Sequence, residues 1–497
     1  MNLKSNSYKM RYLLLLSIIL SSISSLAQQT IRVGAKHFNE GYILSEIISQ
    51  LLENEGIPVE RKFNLGGTTI AFEALKNGDI DIYPEYTGTI ANEILNEKKA
   101  LTHAELQQAI QLNFNLQISK PYGFNNTYAL VVPLHLADKF QLKNISDLAK
   151  HPDISAGLSH EFINRKDGWQ SLATYYHLQN QIKGIEHSLA YTAITNNEID
   201  FTDAYSTDGE ITKMNLFVLT DDKGFFPKYE AVSFYSNKLP PEARAAIKKM
   251  ESTITETEMQ KMNAEVLYNK KDFYTVARSF LLSKHLIQAD KKEMQNSSNN
   301  FLSHVWQHLL LTFLSLLVSL FIALPLGIFL HSRVLVSKPI LFATSILQTI
   351  PSIALLALFI PVMGIGKLPA IVALSLYAIL PILRNTITGL QNINSELLFV
   401  AKAIGLNEKQ ILYKVKLPLA FPAIISGVRI AAVINVGTAT LAAFIGAGGL
   451  GEYIVTGLAL NNTSLILKGA IPSAILAIAI ELVFDLIEKR KKTYKTE

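Results

Sequence analysis

Residues 309–330 read LLLTFLSLLVSLFIALPLGIFL, a run without a single charged side chain. An α-helix needs about 20 predominantly apolar residues to cross the hydrocarbon core of a bilayer, so this stretch predicts a membrane-spanning helix. Four more apolar stretches follow, and we expect spans at about 339–363, 368–383, 419–441 and 469–487. The sequence after residue 304 therefore predicts an all-α membrane domain of about five helices.

The charges between these spans predict how the helices cross the membrane. If residue 308 lies outside the cytoplasm, the segments predicted to be inside carry Arg333, Lys338, Arg384, Lys402, Lys409, Lys414, Lys416, Lys489, Arg490, Lys491, Lys492 and Lys495. The segments predicted to be outside carry only Lys367 and Lys468. Cytoplasmic loops hold the excess of Lys and Arg, so the pattern favours five spans and a cytoplasmic carboxyl terminus. Splitting the second span at Pro351 would reverse this count, and we interpret Pro351 as a kink.

The amino terminus has the three parts of a secretory signal peptide. Basic residues precede an apolar run at 12–20, and the small residues Ser25 and Ala27 form a cleavage site before Gln28. The apolar run is shorter than the roughly 20 residues that a membrane span needs. We therefore predict a signal peptide at 1–27, with an uncleaved anchor as the alternative. In either case the residues that follow are delivered outside the cytoplasm.

The composition excludes several classes of protein. The chain has 497 residues, of which 49% are hydrophobic and 18% charged, which excludes intrinsic disorder and exceeds what one core can organise. It contains no cysteine, so disulfides, thiolate metal sites and cysteine nucleophiles are excluded. The 11 histidines lack the close spacing of a metal site. We predict no catalytic residues, no metal and no cofactor. We also predict no nucleic-acid partner, because the position of the basic residues along the chain explains the net charge of +5.

Residues 28–285 predict an α/β domain. The strand-like runs 30–34 and 80–83 alternate with helical spacing, as in Ile43, Ile47 and Leu51. This length is natural for two lobes around a cleft, where small ligands usually bind. The segments 125–133 and 229–235 are candidate hinge strands between the lobes, and a plain strand within one lobe is the alternative. The polar residues 286–304 predict a linker, and residues 305–497 form the membrane domain.

Three tyrosines of the first domain lie in polar, loop-like sequence. They are Tyr86 in PEYTGT, Tyr128 in NNTYAL and Tyr205 in TDAYSTDG. The face of an aromatic ring attracts a cation, and several rings together form a cage for a quaternary ammonium group. Any one of these tyrosines alone is compatible with a place in the core. Together they favour a binding site for a quaternary amine.

A zwitterionic ligand would also need a partner for its carboxylate. Arg165 in EFINRKDGW is a candidate bidentate donor, and Gly67 and Thr68 in LGGTT offer backbone N–H groups and a hydroxyl. Each of these signals has an ordinary alternative, because a Gly-Gly-Thr step is often only a turn. An arginine beside Lys166 and Asp167 is often a solvated surface residue.

The segment between the third and fourth spans predicts two short helices. Residues 399–404 and 410–416 are helical in pattern and are separated at Gly405, and Pro418 suits the first turn of the next span. An amphipathic helical hairpin on the cytoplasmic face can dock into a groove on a partner. A helix that merely lies on the lipid surface is the alternative.

The membrane half resembles the membrane subunit of ATP-binding-cassette importers for glycine betaine, choline and related quaternary amines. The stretch SILQTIPSIALLALFIPVMGIGKLPAIVALSLYAILPILRNTITGL at 345–390 is similar to that family. The resemblance also implies a cytoplasmic loop that contacts the ATPase subunit, with Ala401, Ala403, Gly405, Leu417 and Pro418 as its matching residues. Phe399 stands where the family motif has an acidic residue, so no salt bridge is carried over there.

The exported half resembles the substrate-binding protein of the same importers. The matching strings are AKHFNE (35–40), LGGTTIAFEAL (65–75), GDIDIYPEYTGT (78–89), GFNNTYAL (123–130) and TDAYSTDGEI (202–211). The resemblance implies a two-lobed α/β fold of the type II periplasmic-binding-protein class. It also implies a tyrosine cage built from the three tyrosines above. Asn126, Arg165 and Asp203 are carried over as further ligand-binding residues.

Together the two resemblances imply a binding-protein–permease fusion for uptake of a glycine betaine- or choline-type compatible solute. No G-x-x-x-x-G-K-[ST] motif occurs in the sequence, so we expect a separate ATPase subunit. The family implies a homodimer of this chain in the bacterial cytoplasmic membrane, with the binding domain outside. Ergothioneine or another betaine is an open alternative as the solute. A ligand-gated channel or receptor, which would need a polar pore loop, and a membrane-anchored enzyme are more distant alternatives.

Overall fold

The computed structural model describes residues 29–97, 101–288, 301–460 and 462–493. The predicted signal peptide at 1–27 and most of the predicted linker at 286–304 lie outside the described residues. The described chain has an α/β half with two lobes, followed by an all-helical half, as the sequence predicts. The first helix of the second half begins at Phe301, before the predicted boundary at residue 305.

The elements of the α/β half alternate along the chain. Its strands are β1 (Ile31–Lys36), β2 (Val59–Leu65), β3 (Ile82–Tyr86), β4 (Leu116–Ile118), β5 (Tyr128–Pro133), β6 (Ala156–Ser159), β7 (Ile182–Ile185), β8 (Thr202–Tyr205), β9 (Leu216–Leu219) and β10 (Ala231–Ser236). Its α-helices are α1 (Asn39–Asn54), α2 (Thr68–Asn77), α3 (Thr87–Thr89), α4 (His103–Phe114), α5 (Leu134–Phe140), α6 (His160–Asn164), α7 (Trp169–Tyr176), α8 (His187–Thr195), α9 (Gly209–Lys213), α10 (Pro241–Lys248), α11 (Glu256–Leu267) and α12 (Phe273–Ser283).

Lobe 1 is organised by a five-stranded sheet in the order β2-β1-β3-β10-β4. Strand β1 runs parallel to β2 and β3, whereas β10 runs antiparallel to β3 and β4. Helix α1 packs on this sheet with Ile43, Ile47 and Leu51 fully buried, which explains their helical spacing in the sequence. In β1, Ile31, Val33 and Ala35 are fully buried, whereas the charged residues of the strand, Arg32 and Lys36, form ion pairs with Asp81 and Glu85.

Lobe 2 contains an antiparallel sheet in the order β8-β5-β9 and a parallel pair, β6 and β7. The chain passes between the lobes at two adjacent segments. Asn125 and Glu230 form an isolated β-bridge, and the Asn126 N–H donates to the Tyr229 carbonyl at 2.9 Å. From this point β5 enters lobe 2 and β10 enters the lobe 1 sheet. The two candidate hinge segments therefore lie side by side at the lobe boundary.

The all-helical half contains four helices that are long and apolar enough to span a membrane, and one bent pair of helices. Its elements are α13 (Phe301–Leu330), α14 (Val334–Thr349), α15 (Ser352–Met363), α16 (Lys367–Gln391), α17 (Ser395–Ala403), α18 (Glu408–Ile411), α19 (Leu417–Ala439), α20 (Gly451–Ala459) and α21 (Thr463–Thr493). A π-helical turn at Leu412–Lys416 precedes α19, and a 3-10 turn at Thr440–Phe444 follows it.

Contacts at the helix ends define two ends of this half. At the near end, the Ile365 N–H donates to the Asp79 carboxylate of lobe 1 at 3.1 Å. At the far end, the Gln391 side chain donates to the His331 carbonyl at 2.9 Å, and the Lys416 ammonium lies 3.3 Å from the His331 ring. The pair α14–α15 starts three residues after His331 and ends beside Ile365. It therefore leads from the far end to the near end, and if this bent pair is counted as one span the described helices include up to five candidate spans.

The kink predicted at Pro351 is present, and it is a bend of 97° between α14 and α15. Proline has no N–H to continue the helical hydrogen bonds, and it disfavours helical geometry in the residue before it. Ile350 is accordingly extended, with φ −68° and ψ 127°. The Tyr377 hydroxyl donates to the Ile350 carbonyl that the break leaves without a helical partner. A helix packed against the break thus stabilises a right-angle turn.

Candidate functional site

A cavity lies between the two lobes beside the chain crossings. It is lined by Lys36, His37, Phe38, Gly66, Gly67, Thr68, Tyr86, Thr89, Asn126, Tyr128, Glu161, Arg165, Tyr205 and Tyr229. Seven of the eight residues that the sequence nominates for ligand binding are in this set. They are Gly67, Thr68, Tyr86, Asn126, Tyr128, Arg165 and Tyr205. We refer to this space as the inner cavity.

Five aromatic rings form the apolar wall of the inner cavity. Ring centroids lie 5.1 Å apart for Tyr128 and Tyr205, 5.8 Å for Tyr128 and Tyr229, and 6.2 Å for Phe38 and Tyr86. Tyr128 and Tyr205 are direct partners in the antiparallel pairing of β5 and β8, which brings two distant segments together. The cavity thus has the shape of an aromatic cage with rings from both lobes.

Phe38 and Tyr229 are part of this wall but were not nominated from the sequence. Tyr229 follows a lysine in the candidate hinge segment, and a tyrosine at a lobe crossing has the cleft beside it. Phe38 belongs to the string AKHFNE, which carries the family resemblance without indicating the role of any one residue.

The Glu40 carboxylate accepts hydrogen bonds from residues in and beside the aromatic wall. The donors are Thr207 (2.6 Å), Tyr86 (2.5 Å), Asn263 (3.1 Å) and Asn126 (2.9 Å). Burial raises the pKa of Glu40 above its ordinary value, although the four donors oppose the shift. Because Glu40 belongs to lobe 1 and Thr207 follows a lobe 2 strand, this carboxylate joins the two lobes across the cleft. Apart from the string AKHFNE, nothing in the sequence indicates this role.

The lining of the inner cavity also contains a lysine that is paired with a buried glutamate. Lys36 is buried and its ammonium lies 2.7 Å from Glu85, 3.4 Å from the Thr68 hydroxyl and 5.4 Å from the centre of the Tyr86 ring. Helix α2 begins here, with Gly67 as its N-cap residue and no side chain capping it. A helix amino terminus offers N–H groups and a favourable dipole to an anion. This part of the lining is chemically suited to a carboxylate, and Lys36 was not nominated from the sequence.

Arg165 lines the cavity, and its guanidinium has acidic partners within the chain. Its Nε and Nη2 atoms both donate to Asp167 at 2.7 Å, and Nη1 lies 3.5 Å from Glu161. The guanidinium carbon is 5.3 Å from the centre of the Tyr128 ring. Burial raises the pKa of Asp167, but the Arg165 guanidinium lowers it more, so the net shift is downward. The Arg165 guanidinium is therefore paired with Asp167 within lobe 2, and it positions the Tyr128 ring.

Asp203 does not line the cavity. It is fully buried, and its two carboxylate oxygens accept from the Ser159 N–H and hydroxyl, each at 2.6 Å. His187 lies 3.7 Å from this carboxylate and stacks near Tyr205, with ring centroids 4.7 Å apart. The structure thus places Asp203 behind the cavity wall, where it fixes the start of α6 and supports the residues that face the ligand space.

A second cavity adjoins the first and shares His37, Phe38, Asn126, Glu161 and Tyr205 with it. This outer cavity has a volume of about 180 Å³. Its remaining lining includes several acidic groups and one residue of the membrane half, namely Asn39, Glu40, Ser159, His160, Glu186, His187, Asp208, Glu210, Asn263, Leu267 and Ala459. The ligand space therefore continues towards the near end of the membrane half.

The second candidate site is the coupling segment, which we define as residues 395–416, at the far end. It consists of α17, α18 and the π-helical turn, with Gly405 at φ 88° between the two helices, as predicted. Of the nominated residues, Ala401 is buried, Leu417 is half-buried, and Ala403, Gly405 and Pro418 are exposed. Pro418 lies in the first turn of α19, where its missing N–H has no helical partner.

The coupling segment exposes large apolar side chains. Phe399 is 74% exposed, Ile404 71% and Tyr413 67%. These three residues lie in or beside short helices rather than in the long apolar spans. Large apolar side chains left exposed in one short segment are typical of a protein or membrane contact.

Two family models match the chain. The model described as "Substrate binding domain of ABC-type glycine betaine transport system" matches residues 29–283. The model described as "Binding-protein-dependent transport system inner membrane component" matches residues 303–493. The two matches divide the chain at the same place as its two structural halves.

Individual relatives match one half or the other. The choline transport system permease protein OpuBB of Bacillus subtilis is 41% identical over 206 residues, which is 41% of this chain and 93% of that protein. The carnitine transport binding protein OpuCC of Listeria monocytogenes is 35% identical over 283 residues, or 54% of this chain and 91% of that protein. The ergothioneine transport permease/ergothioneine binding protein EgtU of Helicobacter pylori (strain G27) is 34% identical over 266 residues, covering 52% of this chain and 48% of that protein.

Proposed function

Since this chain belongs to the family of substrate-binding domains of ABC-type glycine betaine transport systems, and continues into an inner-membrane transport component, we propose that it captures a quaternary-amine solute outside the cytoplasm. The solute then passes through the membrane half of the same chain. The observation that carries this proposal is the cage of five aromatic rings in the inner cavity. A trimethylammonium group has no N–H to donate, so ring faces are its natural partners.

The energetics of the cage are adequate for this role. One cation–π contact contributes roughly 0.5–2 kcal/mol, and micromolar affinity requires about 8 kcal/mol. Several rings can therefore supply a large part of the affinity, and the exclusion of water from a buried cage adds to it. Tyr86, Tyr128 and Tyr229 are each less than a tenth exposed, so little of the surface of these three rings is accessible to water.

The polar part of the cavity lining favours a betaine over a plain amine. Lys36, the Thr68 hydroxyl and the amino terminus of α2 line the cavity together with the tyrosines of lobe 2 and are suited to a carboxylate. Glycine betaine and related compatible solutes carry both groups, whereas choline carries only the ammonium. We therefore propose a betaine as the solute, with compatible-solute uptake as the physiological activity.

Ergothioneine is the second candidate solute. It is also a betaine, with a ring attached beside the ammonium group, and a relative that is 34% identical over 52% of this chain is an ergothioneine binding protein. The outer cavity continues from the cage and carries histidine and carboxylate side chains that suit a polar ring. These two observations favour testing it beside the smaller betaines.

The membrane half is proposed to cross the cytoplasmic membrane five times with its near end outside. The far end carries most of the basic residues, including Arg384, Lys414 and Lys416, and cytoplasmic segments are enriched in positive charge. This orientation places the binding domain outside and the coupling segment in the cytoplasm. A separate ATPase subunit is proposed to bind the exposed apolar surface formed by Phe399, Ile404 and Tyr413. The family resemblance further implies a homodimer of this chain with two such subunits.

Calorimetry on the full chain in lipid nanodiscs tests the proposed solute. The panel is glycine betaine, proline betaine, carnitine, choline and ergothioneine. We expect at least one betaine to bind with micromolar affinity and to bind more tightly than choline. The control variant is Tyr175→Ala, which removes a half-exposed tyrosine outside both cavities and should leave the affinity unchanged. Failure of the whole panel to bind below millimolar concentration would overturn the proposed function.

A further inference from the structure

Lobe 1 contacts the near end of the membrane half through backbone groups at helix ends. The Gly66 N–H donates to the Phe444 carbonyl at 3.0 Å, and Leu65 and Ile445 form an antiparallel β-bridge. The Asn77 side chain donates to the Ile360 carbonyl at 3.2 Å. The Ile360 carbonyl also accepts from the Gly364 N–H at 2.8 Å, so lobe 1 adds a second hydrogen bond at this helix end.

Asp79 makes the most specific of these contacts. Its carboxylate accepts from the Ile365 N–H at 3.1 Å, two residues before helix α16 begins. An acidic group is favoured near a helix amino terminus. Gly364 lies against the same carboxylate, and a Cβ atom at Gly364 would stand 2.3 Å from Asp79 Oδ2. The fit therefore depends on the absence of a side chain at residue 364.

A buried chain of hydrogen bonds runs from the ligand cavity to this interface. His37 lines both cavities, and its Nδ1 lies 3.0 Å from the Tyr42 hydroxyl. The Tyr42 hydroxyl donates to Asn64 Oδ1 at 2.5 Å, and the same oxygen accepts from the Thr456 hydroxyl of helix α20 at 3.3 Å. Tyr42 and Asn64 are both buried. Buried polar chains of this kind act as a unit, so the membrane half and the cavity share one network.

The protonation of this chain follows from its geometry. Burial lowers the pKa of His37 to about 4, although Glu186 opposes the shift. His37 is therefore neutral at physiological pH, and since the Tyr42 hydroxyl donates to Asn64, the His37 Nδ1–H donates to the Tyr42 oxygen. The hydrogen bonds then run in one direction: His37 donates to Tyr42, and Tyr42 donates to Asn64. Thr456 donates a second hydrogen bond to the same Asn64 oxygen.

Every contact named above comes from lobe 1, whereas the cavity is shared with Tyr128, Arg165 and Tyr205 of lobe 2. We propose that lobe 1 stays docked on the membrane half of its own chain throughout transport, and that lobe 2 alone moves to admit and release the solute. Tyr42 and Asn64 are then positioning residues that hold lobe 1 in place. This inference rests on the proposed function, because it assigns the motion by which the solute is handed over.

Two cysteine pairs in the full chain test this motion. The natural chain has no cysteine, so each pair is free of background. Leu65→Cys with Ile445→Cys joins bridge partners, whose Cα separation suits a disulfide. Asn96→Cys with Lys166→Cys, closed by a short bis-maleimide, joins the two lobes at a contact between residues 96 and 166. We expect the first pair to form within one chain, giving no dimer on a denaturing gel.

The locked chains are then compared for exchange of radiolabelled glycine betaine, or of the panel member that binds most tightly. We expect the lobe 1 lock to leave the exchange rate and the Kd within about threefold of the unlocked chain. The lobe-to-lobe lock should slow exchange at least tenfold. Loss of exchange in the lobe 1 lock, or a 65–445 crosslink that forms only between two chains, would overturn the proposal. Because crosslinking needs no ligand, failure of the panel to bind would refute only the proposed function.

Single variants test the anchoring contacts separately. Gly364→Ala should lower the yield of the 65–445 crosslink at least threefold, because the new methyl group displaces Asp79. The matched control is Gly366→Ala, which has the same kind of backbone conformation (φ 96° against 72°) but meets no atom nearer than 4.0 Å. Tyr42→Phe should also lower the yield, and the control Tyr122→Phe removes a buried hydroxyl bonded to Ser233 away from the interface. Equal yields in each variant and its control would contradict the anchoring role.

Discussion

The inner cavity and the coupling segment are both candidate recognition surfaces, but they are completed in different ways. Around the cavity, several polar groups find partners within the chain: Tyr86 donates to Glu40, and Tyr229 donates to Asp167. In the coupling segment, by contrast, Phe399 and Ile404 leave more than two thirds of their surface exposed. A site for a small solute is built by the fold itself, whereas a surface for a protein partner remains open until the partner arrives.

This difference predicts how substitutions in the two regions behave. In the cavity, a substitution removes one member of a satisfied buried network, so stability and solute affinity both depend on it. In the coupling segment, a substitution changes a surface that the folded chain does not need for its own core. We therefore expect cavity variants to affect the isolated chain and coupling variants to affect only the assembled transporter.

The largest expected effect is on stability, from Asp167→Ala. This change leaves the buried Arg165 guanidinium without its bidentate partner, and removal of one member of a buried ion pair costs about 3–5 kcal/mol. The matched control is Glu161→Ala, because Glu161 contacts the same guanidinium from a side chain that is 51% exposed, where a pair contributes about 1 kcal/mol or less. Thermal unfolding of the two variants is the measurement. Similar melting temperatures would mean that burial does not distinguish the two pairs.

The next effect is on solute affinity. Replacement of Tyr86, Tyr128 or Tyr205 by alanine removes one ring of the cage, and we expect at least a tenfold increase in Kd, about 1.4 kcal/mol for each. Tyr128→Phe keeps the ring face and should change the Kd by no more than about threefold. Isothermal titration of the full chain measures both. If all three alanine variants bind as tightly as the natural chain, the cage assignment is wrong.

The coupling segment should respond in the opposite manner. Ile404→Asp places a charge on the exposed apolar surface, and desolvation of that charge opposes docking of the ATPase subunit. We expect solute uptake by cells to fall at least tenfold while the Kd of the purified chain stays within twofold. Lys402→Ala is the control, because it removes only an exposed ion pair with Glu408. A variant that lost solute binding together with uptake would show that this segment belongs to the core of the chain.

The smallest expected effect is a pH dependence behind the cavity wall. Burial lowers the pKa of His187, but the carboxylates of Asp208 and Asp203 raise it more, and the net value is well above 6.5. The stability that charged His187 contributes is thus fully present below pH 6.5 and is lost as the pH rises through the folded-state pKa. The difference in unfolding free energy between the natural chain and His187→Asn should shrink as the pH rises from 6 to about 10. A difference that stays constant over this range would contradict the assignment.

Much of the fold was predictable because its signals are local. The spacing of Ile43, Ile47 and Leu51 predicted helix α1, and the apolar runs predicted the candidate membrane spans. The angle of the bend at Pro351 was not predictable, because a proline interrupts the hydrogen bonds of a helix without specifying an angle. The angle depends on neighbours such as Tyr377, which caps the Ile350 carbonyl from another helix.

The cavity shows the same limit. The tyrosines stood out because they lie among polar neighbours in the sequence, although all three lie at strand ends and Tyr86 and Tyr128 are buried. Lys36 and Glu40 were missed because their roles require the segment between β1 and α1 to lie across the cleft, which is a property of the tertiary fold. The ion pair of Arg165 with Asp167 was not predicted, although the two residues are only two positions apart. Nothing in the local sequence shows that both side chains are buried.

We propose that the cage recognises the charge of a quaternary ammonium group and not only its shape. The most direct test compares glycine betaine with 3,3-dimethylbutanoate, in which a carbon atom replaces the charged nitrogen and the shape is kept. On the full chain in nanodiscs, we predict that glycine betaine binds at least tenfold more tightly than the neutral-headed isostere, because ring faces attract only the cation. Equal affinity for the two compounds would contradict the account.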